Sequence, residues 1–398
     1  MNYRRTLLAS YLGYITQAIC NNLPPLLFAT FHRQFGITLE QLGLVATINF
    51  SIQMLTDIAA ARFLDKIGYR AGIVLGQGLS FLGLLLMGFL PMRMGNPFAG
   101  ILLCIFLNAV GGGLLEVLVG PIVQIVPGED KERRMSVLHS FYCWGHVLVV
   151  LLSTAFFRLA GVENWPWLFL AWSILPLFNT FFYGGAWLPA PVLESERIPL
   201  RRLFANKIFW IFLIMMIAAG ASEQAMGQWS SLFAEEGLGI SKTMGDLLGP
   251  CAFAALMGIS RLIYGLWGAK LRMGRALLFC AGLCVASYLA TVFSPSPLLA
   301  VFGMAFSGLC VGLMWPGVFS MVAGRYPQGG TAMFAILALA GDVGCSAGPG
   351  LVGVLSGSLE GAGGALEALK SGLLAAAAFP LLLFLGILWL NRLDRKNP

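Results

Sequence analysis

The sequence predicts an all-α membrane protein with twelve transmembrane helices in two six-helix bundles, and three observations lead to this fold. Hydrophobic residues make up 58% of the 398 residues and charged residues only 11%, against about 25% charged in soluble domains. Apolar runs of about 20 residues, the length that crosses a bilayer, follow one another almost to the end of the chain. One long polar segment divides these runs into two sets of six. Soluble enzymes, nucleic-acid-binding proteins and secreted disulfide scaffolds are therefore disfavoured.

Charged residues and clusters of Pro and Gly interrupt the apolar pattern and set the limits of the spans. The first run is longer than the apolar region of a signal peptide and lacks a small-residue cleavage site, so we expect it to be a retained helix. The first six spans are predicted near residues 6–30, 40–64, 71–91, 98–126, 135–160 and 167–188. The second six are predicted near residues 208–234, 243–268, 275–294, 297–323, 329–357 and 369–391.

The long polar segment and a set of internal repeats predict two related halves. We expect an N-terminal bundle over residues 1–188, a cytoplasmic linker over 189–207 and a C-terminal bundle over 208–398. The tripeptide GIT at 36–38 returns as GIS at 239–241, and GLLE at 113–116 returns as GLMW at 312–315. Repeats at a nearly constant offset are typical of a duplicated six-helix unit.

The distribution of Lys and Arg predicts the orientation, because cytoplasmic loops retain these residues. With twelve spans, 19 of the 25 Lys and Arg residues fall on the side of the termini, five fall on the other side, and Arg261 falls inside a span. We therefore expect both termini in the cytoplasm of a protein of the cell inner membrane. The net charge of +7 is interpreted as topological information rather than as a nucleic-acid-binding patch.

The loop between the second and third predicted spans carries a recognisable motif. Asp65, Lys66, Gly68 and Arg70 stand in the segment AARFLDKIGYRAG. This segment resembles the loop signature of the major facilitator superfamily, Gly-x-x-x-Asp-(Arg/Lys)-x-Gly-x-(Arg/Lys), with Ala61 in place of the first Gly. The resemblance implies two bundles that rock about a central cavity to expose it to each side of the membrane in turn.

A finer similarity points to the fucose and hexose permease branch of that superfamily. The similar segments are CNNLPPLLF, GGGLLEVLVGP, HSFYCWGH and EQAMGQWSSLF. The branch carries one functional acid in the first span and another in the fourth. Glu116 matches the fourth-span acid, whereas Pro25 stands where the first-span acid would be.

Four acidic residues fall well inside predicted spans, away from the span ends, where a charge is costly enough to suggest a function. Glu116 lies about midway along its helix and is the preferred proton carrier, with Glu223 or Asp342 assisting. The alternative for Glu116 is a structural, hydrogen-bonded acid that never titrates. The fourth acid, Asp57, lies two turns before the loop motif and is assigned to a cytoplasmic gate.

The seventh span carries a polar stripe that suits a polyol. Glu223, Gln224, Gln228 and Ser231 share a helix face, and Trp229 lies beside them. Amides and hydroxyls bind the hydroxyl groups of a sugar, and an indole packs on its C–H surface. The alternative is hydrogen bonding between helices, which membrane bundles also use.

Other spans carry polar or aromatic residues that we expect to face the same cavity. His139, Tyr142 and His146 lie three or four residues apart in the fifth span and so share a face. Trp315 is the repeat counterpart of Glu116. In the first span the polar face consists of Gln17, Asn21 and Asn22. The predicted substrate-binding residues are Asn22, His139, Tyr142, Gln224, Gln228, Trp229 and Trp315.

The remaining charged residues are assigned to a gate. Asp57, Asp65, Lys66 and Arg70 lie at or near the cytoplasmic loop of the first half. Arg261 lies near the cytoplasmic end of the eighth span, where an ion pair in a gate or between helices is expected rather than contact with a ligand.

The expected function is secondary active transport of a small neutral polar solute, with a sugar preferred, coupled to protons. Proton and sodium coupling cannot be separated from the sequence, and no cofactor is expected, since no nucleotide-binding loop is present. The eight cysteines lack metal-site spacing, so we expect free thiols and no metal. We expect a monomer that contacts the bilayer and its solute and binds no nucleic acid.

Two other functions are weighed against transport of a sugar. A proton-driven efflux antiporter for drugs or metabolites would use the same fold and the same acids. A polytopic membrane enzyme is disfavoured, because the three histidines show no catalytic spacing.

Overall fold

The computed structural model describes residues 3–127, 131–188, 204–267, 272–326 and 330–396. Side chains are left undescribed at a few positions inside these ranges, including 61–67. The chain divides into two compact units, Met1–Leu193 and Glu194–Pro398. Most of the predicted linker lies outside the described residues.

The first unit is helical throughout the described residues, with short loops between the helices. A single 3₁₀ turn, Pro24–Leu27, separates its first two helices. The helices are α1 (Tyr3–Asn22), α2 (Phe28–Phe35), α3 (Leu39–Met87), α4 (Leu90–Arg93), α5 (Pro97–Ile125), α6 (Lys131–Ala160) and α7 (Trp165–Gly184).

The second unit is built in the same way, with two π-helical turns between its first helices. These turns are Phe233–Gly237 and Leu247–Cys251. The helices are α8 (Lys207–Leu232), α9 (Lys242–Asp246), α10 (Ala252–Trp267), α11 (Met273–Phe293), α12 (Pro297–Arg325), α13 (Gly330–Ala376) and α14 (Ala378–Lys396).

Eleven segments of the described residues are long and apolar enough to cross a membrane, whereas twelve were predicted. The segment absent from this set is α1, which begins with Arg4 and Arg5 and carries a polar face. The count of twelve therefore stays a prediction. The eleven segments are Leu39–Ala60, Gly68–Met87, Pro97–Gln124, Val137–Ala160, Val162–Gly184, Lys207–Gly237, Lys242–Trp267, Met273–Phe293, Pro297–Arg325, Met333–Leu359 and Gly364–Leu393.

The first predicted span, residues 6–30, is not one continuous helix. α1 ends at Asn22, and the chain passes through the 3₁₀ turn Pro24–Leu27 before α2 begins at Phe28. Proline lacks the backbone N–H that an α-helix requires, and it clashes with the preceding turn. The two adjacent prolines, Pro24 and Pro25, therefore end the helix eight residues before the predicted limit of the span.

Two glycines bend long helices where separate spans were predicted. Gly68 (φ 76°) divides α3, and Gly364 (φ 77°) divides α13. A residue with a side chain is strained at such a positive φ, whereas glycine is not. These bends let one helical run supply two membrane spans.

The turns at GIT and GIS have the same backbone conformation in the two units. Gly36 (φ 65°) and Gly239 (φ 66°) are both left-handed and precede a helix that begins after Thr38 or Ser241. Thr38 caps its helix by accepting a hydrogen bond from the backbone N–H of Gln41. This agreement supports the duplication inferred from the sequence.

Glycines let α8 and α13 pack backbone against backbone. A Cβ atom at Gly344 would overlap the carbonyl oxygen of Ile217, and one at Gly348 would lie 2.6 Å from the carbonyl oxygen of Ala221. Small residues at helix crossings are typical of membrane bundles, where close packing replaces the hydrophobic driving force.

Candidate functional site

α1 lies antiparallel to α5, and this pairing places a buried amide against the acid of the fourth predicted span. Cys20 of α1 contacts Asn108 of α5, with 3.9 Å between Sγ and Oδ1. Gln17 lies one turn earlier on α1, and Glu116 lies two turns later on α5. Nε2 of Gln17 donates to Oε2 of Glu116 at 2.7 Å. Gln17 is buried, and Glu116 is partly buried. The carboxylate therefore has a partner from another helix in the interior of the unit.

Asn21 is the centre of a second group of amides in the first unit. Its Oδ1 accepts hydrogen bonds from Gln53 at 2.7 Å and from Asn49 at 3.1 Å, both on α3. The phenolic oxygen of Tyr142 accepts from Asn21 and from Asn22, each at 3.5 Å. Asn22 and Tyr142, predicted from different spans, are therefore brought together, and Gln53 and Asn49 join them.

The two histidines of the fifth predicted span lie in different surroundings. The ring of His139 packs edge-on against Tyr14, with 5.6 Å between ring centroids. His146 is buried and lies seven residues further along α6. The shared helix face was predicted, whereas the contact with Tyr14 was not.

The polar stripe on α8 forms a chain of hydrogen bonds that ends on a cation. Nη2 of Arg261, on α10, lies 3.3 Å from Oε2 of Glu223. Gln224 donates to Glu223 at 3.4 Å, and Gln228 donates to Gln224 at 3.2 Å. The expected ion pair of Arg261 is thus present, and its partner is one of the predicted proton carriers.

The two tryptophans assigned to the substrate lie on other parts of the second unit. Trp229 is fully buried, and its Nε1 donates to the carbonyl oxygen of Pro349 at 3.1 Å. Trp315 is partly buried and packs directly against Gly341, the residue before Asp342. Asp342 is buried. The assignments of both tryptophans to the substrate stay predictions.

A buried ion pair that the sequence analysis did not assign lies at the far end of α8. Nζ of Lys242 is 2.7 Å from Oδ1 of Asp246, which also accepts from Ser231 at 2.5 Å. Lys242 lies 3.9 Å from Glu235 as well. The signal in the sequence was the i, i+4 spacing of Lys242 and Asp246, which share a helix face.

The predicted gate residues are only partly described. Arg70 donates to the carbonyl oxygens of Gly184 and Ala186 at the end of α7, where helix carbonyls lack partners within the helix. Oδ1 of Asp57 lies 3.1 Å from the position of a Cβ on Gly113 of α5. The side chains of Asp65 and Lys66 lie outside the described residues.

The described residues contain no group of three or more His, Cys, Asp or Glu side chains that could hold a metal ion. All eight cysteines carry free thiols.

Comparison with known proteins decides the family. The model of the Major Facilitator Superfamily matches residues 10–349, which is most of the chain. The chain belongs to the Major Facilitator Superfamily. This membership confirms the resemblance of the loop motif and identifies a multi-pass membrane transporter rather than an enzyme.

The chain is similar to one curated transporter in sequence and to two solved transporter structures in fold. The L-fucose-proton symporter of Escherichia coli K12 is 29% identical over 135 residues, which cover 34% of this chain and 30% of that protein. The matched region thus covers about a third of the length of that curated relative. The crystal structure of the E. coli fucose:proton symporter has a TM-score of 0.65 at 17% identity, with 98% of this chain and 99% of the other covered. An occupied, inward-facing bacterial homologue of human Spinster has a TM-score of 0.79 at 15% identity, with 98% and 97% covered.

Proposed function

We propose that this transporter moves a small neutral polar solute, with a sugar preferred, by alternating access coupled to protons. The observation that carries the proposal is the hydrogen bond between Gln17 and Glu116. An ionisable side chain inside a membrane span is energetically costly, and acids retained there are typical of ion pathways and proton relays.

The chemistry of the polar groups supports a solute rich in hydroxyl groups. The first unit offers amides and a phenol at Asn21, Asn22 and Tyr142, and the second offers amides at Gln224 and Gln228. Amides supply both donors and acceptors, which suits hydroxyls, since each hydroxyl also donates and accepts. The name of the curated relative, the L-fucose-proton symporter, agrees with this class of solute.

The other two acids are proposed to assist rather than to replace Glu116. The Arg261 guanidinium lies beside Glu223, so this carboxylate already has a positive partner. Asp342 lies beside the glycine that packs on Trp315. Glu116 differs from Glu223, because the amide that donates to Glu116 comes from another helix, whereas the amide that donates to Glu223 comes from the same helix.

The proposal includes twelve spans, both termini in the cytoplasm and a monomer. The excess of Lys and Arg on one side supports this topology. A single chain supplies both six-helix halves, so a monomer needs no second copy to complete the fold. No cofactor is proposed, and the driving ion is a proton, with sodium as the competing ion.

The test is uptake into proteoliposomes, followed for a panel of monosaccharides, polyols, nucleosides and cationic drugs, with and without an imposed proton or sodium gradient. The wild type should accumulate one sugar only when a proton gradient is imposed. Glu116→Gln should abolish accumulation but keep counterflow of the same sugar, because exchange needs no net proton movement. The matched control is Glu40→Gln, which removes an exposed acid at the start of α3.

Three outcomes overturn the proposal. Accumulation driven by sodium alone would replace the proton as coupling ion. Export of hydrophobic cations would support the efflux antiporter. Proton-driven accumulation by Glu116→Gln would remove Glu116 from the coupling mechanism.

A further inference from the structure

We infer that Gln17 is the positioning residue of the Glu116 proton site, and that it exchanges its amide donor for its amide acceptor when Glu116 binds a proton. This inference rests on the proposed proton-coupling function of Glu116. It adds a residue on a different helix, α1, whose side chain responds to the protonation state of Glu116 on α5.

The contact geometry gives Gln17 this role. Its Nε2–H donates to Oε2 of Glu116 at 2.7 Å, the short distance typical of a donor to an ionised carboxylate. Gly112 of α5 lies beside the amide, since a Cβ there would be in van der Waals contact with Gln17, 3.9 Å from its Cγ, and with Gln53, 3.7 Å from its amide group. Gln17 itself is only 4% exposed. Water therefore has little access to replace this hydrogen bond.

The chemistry of the two groups allows an exchange when the proton binds. An ionised carboxylate only accepts hydrogen bonds, so it must face the NH₂ group of Gln17. A protonated carboxylic acid carries an O–H donor, and this donor needs an acceptor such as the Oε1 of the same amide. Rotation of the Gln17 amide about its terminal bond satisfies both states without moving either backbone.

The same helix face connects Gln17 with the predicted solute-binding amides. Asn21 lies one turn after Gln17 on α1 and is held by Gln53, and Asn22 follows it. A change in the Gln17 amide therefore acts on the helix that also carries the proposed solute contacts. This connection gives a physical route from proton to solute that lies entirely within the first unit.

Other titratable groups lie on the helices that pack against α5. α3 carries Asp57, α1 carries Tyr14, and α6 carries His139, Tyr142 and His146. Asp57 is a second acid at about the same depth in the bundle as Glu116. Its carboxylate faces Gly113, which lies one turn before Glu116 on α5. The test therefore includes a variant that removes the Asp57 charge.

The experiment measures sugar accumulation in proteoliposomes across external pH values from 5 to 9, using the sugar identified by the uptake panel. Gln17→Met keeps the volume and removes the donor that favours the ionised carboxylate. We expect the midpoint of the pH profile to move upward by about one pH unit, the effect of losing one hydrogen bond to a charged group. Gln77→Met, which removes a buried amide bonded to Thr16 instead of an acid, should leave the midpoint unchanged.

The outcomes separate this inference from the proposed function. A normal midpoint in Gln17→Met, with a pH profile that disappears in Glu116→Gln, overturns the role of Gln17 alone. A pH profile that persists in Glu116→Gln overturns the proposed function. A midpoint that moves in Asp57→Asn but not in Gln17→Met assigns the titration to Asp57 and also overturns the inference. If Gln17→Met does not fold, Gln17→Glu serves instead, and a normal midpoint in that variant overturns the inference, because a second acid beside Glu116 must perturb its titration.

Discussion

At the scale of single residues, the ion pair of Glu223 and Arg261 allows a prediction of how removing one of the two charges changes stability. Glu223→Gln or Arg261→Gln alone leaves one charge without its partner among largely buried surroundings. We expect each single variant to lower the free energy of unfolding by about 3 kcal/mol. The double variant should recover most of this loss, because neither charge then remains. Thermal unfolding in detergent, analysed as a double-mutant cycle, measures the coupling.

If the stability losses of the two single variants simply add in the double variant, the two charges do not form a stabilising pair. The control is the exposed pair of Lys370 and Glu367, whose variants should change stability by less than about 1 kcal/mol.

The sequence located the polar residues inside the bundle better than it predicted their partners. Glu116, Gln224 and Gln228 stood out because polar groups are rare in apolar spans. The hydrogen bonds of Asn21 with Gln53 and Asn49 could not be predicted, since they depend on the register between two helices. Spacing along one helix gives the face that a residue occupies, but not which helix packs against it.

At the scale of helices, the close contact of α8 with α13 predicts that replacing Gly344 with a larger residue lowers stability. Gly344→Ala would place a methyl group against the Ile217 carbonyl oxygen, which is backbone and cannot rotate away. We expect a loss of about 1–3 kcal/mol in stability, because the two helices must separate. Gly324→Ala is the matched control, since a Cβ there meets nothing within 4 Å. Thermal unfolding of both variants tests the contact, and equal stability of the two would refute close packing at Gly344.

The limits of the helices followed the sequence closely except where proline acted locally. Apolar length was enough to locate eleven of the spans. It did not locate the end of α1, because Pro24 and Pro25 break the helix inside an otherwise apolar run. The separate spans predicted on either side of Gly68 and Gly364 agree with the structure, because a positive φ at each glycine interrupts the helical backbone.

At the scale of the whole molecule, the number of spans decides the orientation of the termini. Within the part of the chain that the structure describes, eleven segments meet the criteria of length and apolar composition, and α1, the predicted twelfth span, carries Gln17 and the polar face of the proposed site. The features that lower the hydropathy of α1 are the same ones that the proposed function needs. A helix can cross the bilayer with such a face when the face is turned toward protein, and the polar residues of α1 are buried in the first unit.

Topology reporters test whether α1 crosses the membrane. Alkaline phosphatase, which is active only outside the cytoplasm, is fused after Gly36, after Gly95 or at the C-terminus, and green fluorescent protein is fused at the same sites. If α1 crosses, the phosphatase is active after Gly36 and after Gly95, whereas the C-terminal fusion fluoresces and lacks phosphatase activity. Gly95 is the control, because it follows two spans counted from the Gly36 loop and must lie on the same side as Gly36. Fluorescence after Gly36 with phosphatase activity at the C-terminus would show eleven crossings, and Glu116 would then lie in the third crossing instead of the fourth.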